Sequence, residues 1–311
     1  MSPRTEARNR TMLLSTVIMT RNERRNIEDA VRSCAGLPGE ILVVDHSSSD
    51  GTQELAAGLG CRVIPEELAD ISLARNMAID EAKGDWILFL DADERMTPGL
   101  AGEIAAHLEG GRREAASFRR RNRAFGRVMR FGPLWPDRVI RLFPRGEVRW
   151  EGLVHERPLT SLPVARLRGS VVHHTYPDFG TYIAKQALYA RLWAENARRR
   201  GRSATPLKAF TRAAFAFLKM SLLKLGLLDG PAGWCLCWYY SGAYTLGKYL
   251  LLADGGTPGG RGEAAKDAGV IEAGSPGTGG PQKATAPRKA GKGRLAPAKH
   301  EGTTDGNDED L

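Results

Sequence analysis

Residues 86–94 constrain the possible fold of this chain more than any other segment. Five large apolar residues, Trp86 to Leu90, run directly into Asp91, Ala92, Asp93 and Glu94. An apolar run without polar alternation is typical of a strand buried on both faces, as in a parallel sheet. The two aspartates follow in a turn with no basic residue between them. Because adjacent carboxylates repel, we expect Mg²⁺ or Mn²⁺ on the pair; a solvated acidic turn is the alternative.

Two earlier segments have the same design. Residues 14–20 and 40–45 are apolar runs that end on polar residues, and a stretch with helical character follows each. Strands that alternate with helices predict βαβ units and a parallel sheet. In such sheets ligands bind beyond the carboxyl ends of the strands. Thr20, Asp45 and Asp91 would all emerge at that edge, so the sequence predicts a binding site there.

With these motifs the chain resembles the family 2 glycosyltransferases, which have the GT-A nucleotide-sugar-binding fold. The segments that carry the resemblance are 19–23, 43–45, 48–52, 74–76, 84–85, 91–93, 138–143 and 154–156. It continues into a helical region that ends near Leu252. Within the family the chain is most similar to the branch that adds sugars to the inner core of bacterial lipopolysaccharide.

The resemblance implies a site for a nucleotide-sugar donor. Asp45 would accept a hydrogen bond from a ring N–H of the base, and Asp85 would close on the base or the ribose. Arg75 and Asn76 would border the donor, together with Asp91. The other donor-binding residues that the resemblance implies are Thr20, Asn22, Glu23, Ser48 and Asp50.

The resemblance also implies a metal site. Asp91 and Asp93 would hold the divalent metal that bridges the diphosphate of the donor. His155 could be a further metal ligand or could orient a phosphate. His173 or His174, at the end of a short predicted strand, could supply that ligand instead.

An inverting transfer needs a base that takes the proton from the attacking hydroxyl, and a carboxylate is the usual agent. By resemblance Glu156 is the first candidate. Asp137 is the second and Glu151 the third.

Composition limits the partners of the chain. Its formal net charge is +9, and arginine dominates from residue 112 to 149. The sequence has no helix-turn-helix, zinc module or paired aromatic platform, so we expect no nucleic acid partner. Arginine matches phosphate geometry, which favours a phosphorylated acceptor or an anionic membrane surface. The four cysteines lack zinc or disulfide spacing, and residues 1–10 lack an apolar leader, so we expect a cytoplasmic location.

The sequence predicts helices in the first part of the last third of the chain and no regular structure after them. From 206 to 228, Phe210, Phe215 and other apolar residues are interrupted by Arg212, Lys219 and Lys224, which favours a helix in the bilayer interface over a membrane span. A helical pair packed on the catalytic domain or on a second subunit is the alternative. Beyond Asp254 the sequence has almost no large apolar residue, and we expect disorder.

The sequence therefore predicts an α/β protein: an extension over 1–11, a GT-A domain over 12–176, a helical membrane-associating region over 177–254, and a tail over 255–311. The expected activity is metal-dependent, inverting transfer of a sugar from a nucleotide-sugar to a lipid-linked or phosphorylated saccharide. We expect it in lipopolysaccharide core or related cell-envelope synthesis, on the inner face of the bacterial cytoplasmic membrane. One alternative is a sugar-phosphate nucleotidyltransferase, but residues 20–25 lack the glycine-rich loop that is usual in such enzymes. The other alternative is a non-catalytic scaffold.

Overall fold

The computed structural model describes residues 13–67, 70–152 and 156–254, and a large mixed sheet lies at its centre. The strands are β1 (Leu14–Thr20), β2 (Gly39–Asp45), β3 (Arg62–Pro65), β4 (Trp86–Asp91), β5 (Glu94–Met96), β6 (Ala115–Ala124), β7 (Arg127–Val128), β8 (Arg138–Pro144), β9 (Arg149–Glu151), β10 (Arg157–Leu159) and β11 (Val164–Tyr176). The strand order is β3-β2-β1-β4-β8-β6-β11-β5, with β7 paired to β6, and β9 pairs with β10 in a separate ribbon.

The first half of the sheet is parallel, as predicted. β1 lies between β2 and β4, and all three strands run in the same direction. Thr20 is in register with Asp45, and Met19 with Asp91, so the predicted polar residues do meet at one edge. The apolar residues of β4 are buried on both faces because helices cover both sides of the strand.

Eight α-helices accompany the strands in the described part of the chain. They are α1 (Ile27–Ser33), α2 (Thr52–Gly58), α3 (Ile71–Glu81), α4 (Pro98–Glu109), α5 (Phe179–Arg199), α6 (Pro206–Leu218), α7 (Gly230–Tyr239) and α8 (Gly247–Ala253). α1, α2 and α4 bury residues such as Ile27, Ala56 and Leu100 against one face of the sheet. α3 packs Ala78 and Ile79 on the other face.

The second half of the sheet adds antiparallel pairs. β8 is antiparallel to both β4 and β6, while β11 is parallel to β6 and antiparallel to β5. Because β5 starts directly after the Asp91–Asp93 turn, its pairing brings His173 opposite Glu94. The end of β11 therefore lies beside the carboxylate turn.

The C-terminal region is helical, but the single helix predicted over 206–228 is wrong. α6 ends at Leu218, a wide helical turn follows over Lys219–Leu223, and Leu225 adopts a left-handed φ of 54°. The next residue, Gly226, packs so closely that a Cβ there would clash with Cys237 and with the Met220 carbonyl. Of the helices in the described ranges, none is long and apolar enough to cross a membrane.

Candidate active site

Asp91 lies inside a cage of arginines. Its Oδ1 is 3.3 Å from Arg75, and its Oδ2 is 2.9 Å from Arg141 and 4.0 Å from Arg120. Burial acts to raise the pKa of Asp91, but the charges of Arg141, Arg75 and Arg120 outweigh it, and the pKa lies well below its usual range. Asp91 is therefore ionised and already neutralised by the protein.

Arg75 connects Asp91 to the first candidate base. It is buried on α3, and its guanidinium lies 4.3 Å from the ring centroid of Trp150 in a cation–π contact. On its other side it is 3.5 Å from Glu156, whose side chain is only 6% exposed. Glu156 thus lies close to Asp91, but as the ion-pair partner of Arg75.

Asp137, the second candidate base, lies beside the same network. Its Oδ2 accepts hydrogen bonds from Arg120 Nε at 2.7 Å and from Asn122 Nδ2 at 2.9 Å. Arg120 also lies 3.6 Å from Glu94. Asp137 is buried and holds Arg120 in place. Glu151, the third candidate, is exposed at the end of β9.

Asp93 has different neighbours from Asp91. Its Oδ2 is 3.2 Å from Nε2 of the buried His173, whose Nδ1 lies 2.6 Å from Asn122 Oδ1. Burial acts to raise the pKa of Asp93, but the charge and hydrogen bond of His173 outweigh it and lower the pKa. Oδ1 of Asp93 is buried and has no hydrogen-bond partner among the described residues.

A pocket of about 470 Å³ opens beside Asp93. Its walls come from the loop after β1, the turn after β4, the β6–β7 turn, the end of β11 and the start of α5. The lining residues are Arg21, Asn22, Glu23, Asn26, Asp93, Arg123, Gly126, His174, Thr175, Tyr176, Pro177, Thr181 and Lys185. The pocket has the size and the convergent polar groups of a small-molecule site.

Glu23 is a second carboxyl group of this pocket whose pKa is shifted. Burial raises its pKa to about 7; the Asn26 hydrogen bond opposes the change, and the charge of Asp93 reinforces it. Asn26 Nδ2 donates to Glu23 Oε2 at 2.7 Å. Lys185 of α5 is buried in the same pocket, and burial lowers its pKa while Asp93 and Glu23 act in the other direction.

The fit of a metal differs between the two aspartates. Asp93 offers a buried oxygen with no hydrogen bond, which suits a cation held jointly with a diphosphate. Both oxygens of Asp91 contact arginines, so our premise that the pair needs a cation is wrong for Asp91. In the described part of the chain, no three His, Cys, Asp or Glu side chains are grouped to hold a metal. The predicted ligand His155 lies outside the described residues.

Several predicted donor-binding residues connect the loops at the carboxyl edge of the sheet by hydrogen bonds. Asp45 is fully buried and accepts hydrogen bonds from Ser48 N, Ser48 Oγ and Gln53 Nε2. Asn22 N donates to Ser48 Oγ at 2.7 Å, and Asp50 accepts from Arg24 N at 3.1 Å. These contacts shape the loops after β1 and β2, and the role of Asp45 in base recognition stays a prediction.

Thr20 and Asn76 also lie at this edge of the sheet. Thr20 ends β1, and its buried Oγ1 has no hydrogen-bond partner among the described residues. Asn76 exchanges two hydrogen bonds with the backbone of Trp150, each 2.9 Å long. Asn76 thereby fixes the tryptophan on which Arg75 stacks.

Asp85 was assigned wrongly. It precedes β4, whereas Asp91 ends that strand, so the six residues of β4 separate the two by about 20 Å. The backbone N–H of Asp85 donates to the Leu13 carbonyl beside the start of β1. Asp85 therefore lies at the amino edge of the sheet, opposite the site.

The arginine-rich segment does not form one basic face. Arg120 and Arg141 are buried in the site, while Arg138 and Arg145 donate to the backbone carbonyls of Ser117, Leu167 and Ala82. Alternation along β6 and β8 explains the division, since successive side chains point to opposite faces. The sequence did not indicate that Arg120 and Arg141 neutralise Asp91. It also did not indicate that Lys185 lines the pocket.

Comparison with known proteins assigns the N-terminal part of the chain. Residues 15–152 match the model of a family described as glycosyl transferase family 2. This segment is therefore similar to that family. The predicted glycosyltransferase resemblance and the α/β GT-A-like fold are thereby confirmed. The match includes β2–β9, Asp91 and Asp93, whereas β11 and α5 lie outside the matched residues.

Individual relatives align over only part of their length. An uncharacterized glycosyltransferase of Rickettsia bellii is 36% identical over 94 residues, which are 30% of this chain and 32% of that protein. Glycosyltransferase SunS of Bacillus phage SPbeta is 28% identical over 183 residues, covering 50% of this chain and 38% of its own. The chain spans about a third of the length of the curated relatives it matches.

Solved structures give a weaker similarity. Glucosyl-3-phosphoglycerate synthase from Mycobacterium tuberculosis, in complex with Mn²⁺ and UDP-glucose, has a TM-score of 0.41 and 18% identity, and the match covers 60% of this chain and 79% of that one. S. aureus TarS has a TM-score of 0.39 and 16% identity, with 58% and 39% covered. At these values neither structure bears on the activity of this chain.

Proposed function

We propose that this chain is an inverting glycosyltransferase that moves a sugar from a nucleotide-sugar donor to a lipid-linked saccharide. The observation that carries the proposal is Asp93, a buried carboxylate with one oxygen free of hydrogen bonds, on the edge of a pocket at the carboxyl ends of the strands. This is the edge at which ligands bind in open α/β sheets.

Asp93 is the residue that would hold a divalent metal, Mg²⁺ or Mn²⁺. Bound there, the metal would neutralise charge on the leaving diphosphate. Asp91 would contribute indirectly, because its arginines fix the position of the turn that carries Asp93. The base and ribose of the donor would lie along the loops after β1 and β2, near Asn22 and Ser48.

The chemical step needs one proton acceptor. As the acceptor hydroxyl attacks the anomeric carbon, its oxygen forms the new bond, the bond to the diphosphate breaks, and the base takes the hydroxyl proton. We assign the base to Glu156, which is buried beside Arg75 next to Asp91. Asp137 is the second candidate, although Arg120 and Asn122 already engage its Oδ2.

An exposed apolar surface supports a lipid-linked acceptor. Among the described residues, eleven of the thirteen exposed large apolar side chains lie between Leu207 and Leu250. Residues 203–228 contain four cations and no acid. Apolar side chains with interspersed cations suit the surface of an anionic bilayer. We therefore propose peripheral binding to the inner face of the bacterial cytoplasmic membrane, in lipopolysaccharide core or related envelope synthesis.

The activity is tested by release of nucleoside diphosphate from a panel of nucleotide-sugars, with Mn²⁺ present and lipid-linked saccharides as acceptors. Release that depends on the acceptor is the expected result. Nucleotidyl transfer would release pyrophosphate instead, and a scaffold would release neither product.

The membrane proposal is tested by flotation with anionic liposomes. Leu223→Asp alters the most exposed leucine of the surface, which is 76% exposed, and should weaken binding at high salt. Leu73→Asp is the matched control, because Leu73 is 52% exposed on α3, outside this surface. Phe217 is unsuitable for the test since it packs on Trp234 and Trp238. Equal binding of both variants would contradict the assignment.

A further inference from the structure

The arginines of the site fall into two groups with different electrostatic surroundings. Around Asp91, Arg75, Arg120 and Arg141 each pair with a carboxylate, so the protein itself consumes their charge. The arginines that line the pocket beside Asp93, Arg21 and Arg123, are different. Within the described ranges neither forms an ion pair, and the guanidinium of Arg123 donates to the Gly126 carbonyl.

A third cation reaches the pocket from a separate element. Lys185 projects from α5 and is only 6% exposed. Nε of Arg21 is also buried, with no hydrogen-bond partner among the described residues. Three cations thus converge on one cavity from the loop after β1, from β6 and from α5. The carboxyl groups of Glu23 and Asp93 line the same cavity, so the cations outnumber the acidic groups there. An excess of positive charge in a cavity favours the binding of an anion.

The remaining lining suits a hydroxylated molecule. Glu23 can accept hydrogen bonds from hydroxyl groups, and Thr181 and Tyr176 add further polar contacts. Cations beside hydroxyl acceptors, in a volume of about 470 Å³, fit a monosaccharide unit that carries an acidic group.

The source of this lining points to the acceptor. His174, Thr175, Tyr176, Pro177, Thr181 and Lys185 all lie beyond residue 152, outside the segment that matches the family. Arg21 and Arg123 lie inside that segment, whereas Lys185 and the wall of the pocket from β11 and α5 lie outside it. A wall added to the matched segment suits a site for the acceptor, since the donor site is expected within that segment. We propose that the pocket is the acceptor subsite and binds an anionic sugar, with its phosphate or carboxylate on Arg21, Arg123 and Lys185. This inference rests on the proposed glycosyltransferase function.

Binding of simple sugars to the full chain tests the subsite without requiring turnover. The probes are glucose 6-phosphate, glucuronate and glucose, titrated by saturation-transfer NMR, with UDP and Mn²⁺ titrated separately by calorimetry. We expect both acidic sugars to bind at least about tenfold more tightly than glucose, because each gains charge-assisted hydrogen bonds. Their affinity should fall with added salt.

Two variants identify the cations. Arg123→Gln and Lys185→Gln should each lower the affinity for both acidic sugars about tenfold and leave the affinity for UDP unchanged. Arg121→Gln is the matched control, since Arg121 is exposed on the same strand and does not line the pocket. Thermal melting verifies that each variant folds, and if Lys185→Gln does not, Arg123→Gln alone decides.

Three outcomes would overturn the inference. Equal affinity for glucose and the acidic sugars, or no binding of any of the three, would contradict the proposal that the pocket binds an anionic group. Loss of UDP binding in the variants would assign the cations to the donor diphosphate. An equal effect of Arg121→Gln would indicate diffuse attraction. Failure of the proposed function is a separate result. In that case the wild-type protein releases no nucleoside diphosphate, whether or not it binds the acidic sugars.

Discussion

Replacing Glu23 by glutamine should stabilise the protein at alkaline pH. Glu23 has a pKa of about 7 in the fold against an ordinary value of 4.5, because burial disfavours the carboxylate. Between pH 4.5 and 7 the folded protein therefore holds a proton that the unfolded chain has lost. Stability falls as pH rises through this window and is constant above it. Glutamine is neutral throughout and does not suffer this loss.

The size of the effect follows from the two pKa values. They differ by about 2.5 units, and each unit corresponds to about 1.4 kcal/mol, so the ionised carboxylate costs roughly 3 kcal/mol above pH 7. Urea unfolding of wild type and Glu23→Gln at pH 5 and pH 8, with EDTA present, measures it. We expect the variant to be more stable by up to about 3 kcal/mol at pH 8 and by much less at pH 5.

A matched control is Glu109→Gln, which alters an exposed glutamate at the end of α4. This substitution should change stability by less than about 0.5 kcal/mol at both pH values. If Glu23→Gln gives the same difference at pH 5 as at pH 8, Glu23 does not ionise within this window, and the reasoning from burial is refuted.

The other predictions concern the proposed catalytic groups and the tail. Asp93→Asn should remove the dependence of donor binding on Mn²⁺, measured by calorimetry on the folded variant; retained dependence would place the metal elsewhere. Asp91→Asn should instead cost about 3–5 kcal/mol in urea unfolding, since it removes the counterion of the buried Arg141; a stable variant would contradict the role of Asp91 as that counterion. Glu156→Gln should keep donor affinity and lower turnover roughly 10²- to 10⁴-fold; an active variant, beside a folded but inactive Asp137→Asn, would make Asp137 the base. A chain that ends at Asp254 should keep activity and flotation, and release from liposomes would locate the anchor in the tail.

The parallel half of the fold is readable in the sequence because its signals are local. β1, β2 and β4 contain the apolar runs 17–19, 41–44 and 86–90, each directly before the polar end of its strand. Their parallel order follows from the helices between them, and it places Thr20, Asp45 and Asp91 at one edge. The role of Asp85 came from the resemblance alone, and a whole strand separates this residue from the site.

The surroundings of Asp91 could not be read in the same way. Its partners Arg75 and Arg141 lie 16 and 50 positions away, and the second reaches Asp91 only through the antiparallel pairing of β8 with β4. Neither that register nor the placement of α5 is encoded in a local apolar pattern. Lys185 therefore looked like an ordinary residue of an amphipathic helix.

One consequence of α5 concerns the length of the acceptor. The helix carries Lys185 in the pocket and, further along, Trp193, whose ring makes an edge contact with Tyr249. Tyr249 in turn contacts Lys208 of α6, and the exposed apolar surface begins on that helix. A continuous helix rises about 1.5 Å per residue and has no hinge, so the pocket and that surface are held at a set separation. For an acceptor anchored in lipid, the saccharide between anchor and reacting sugar has to span that separation. The protein would then act as a ruler, and acceptors one sugar longer or shorter should differ in kcat/KM even when their terminal sugars are identical.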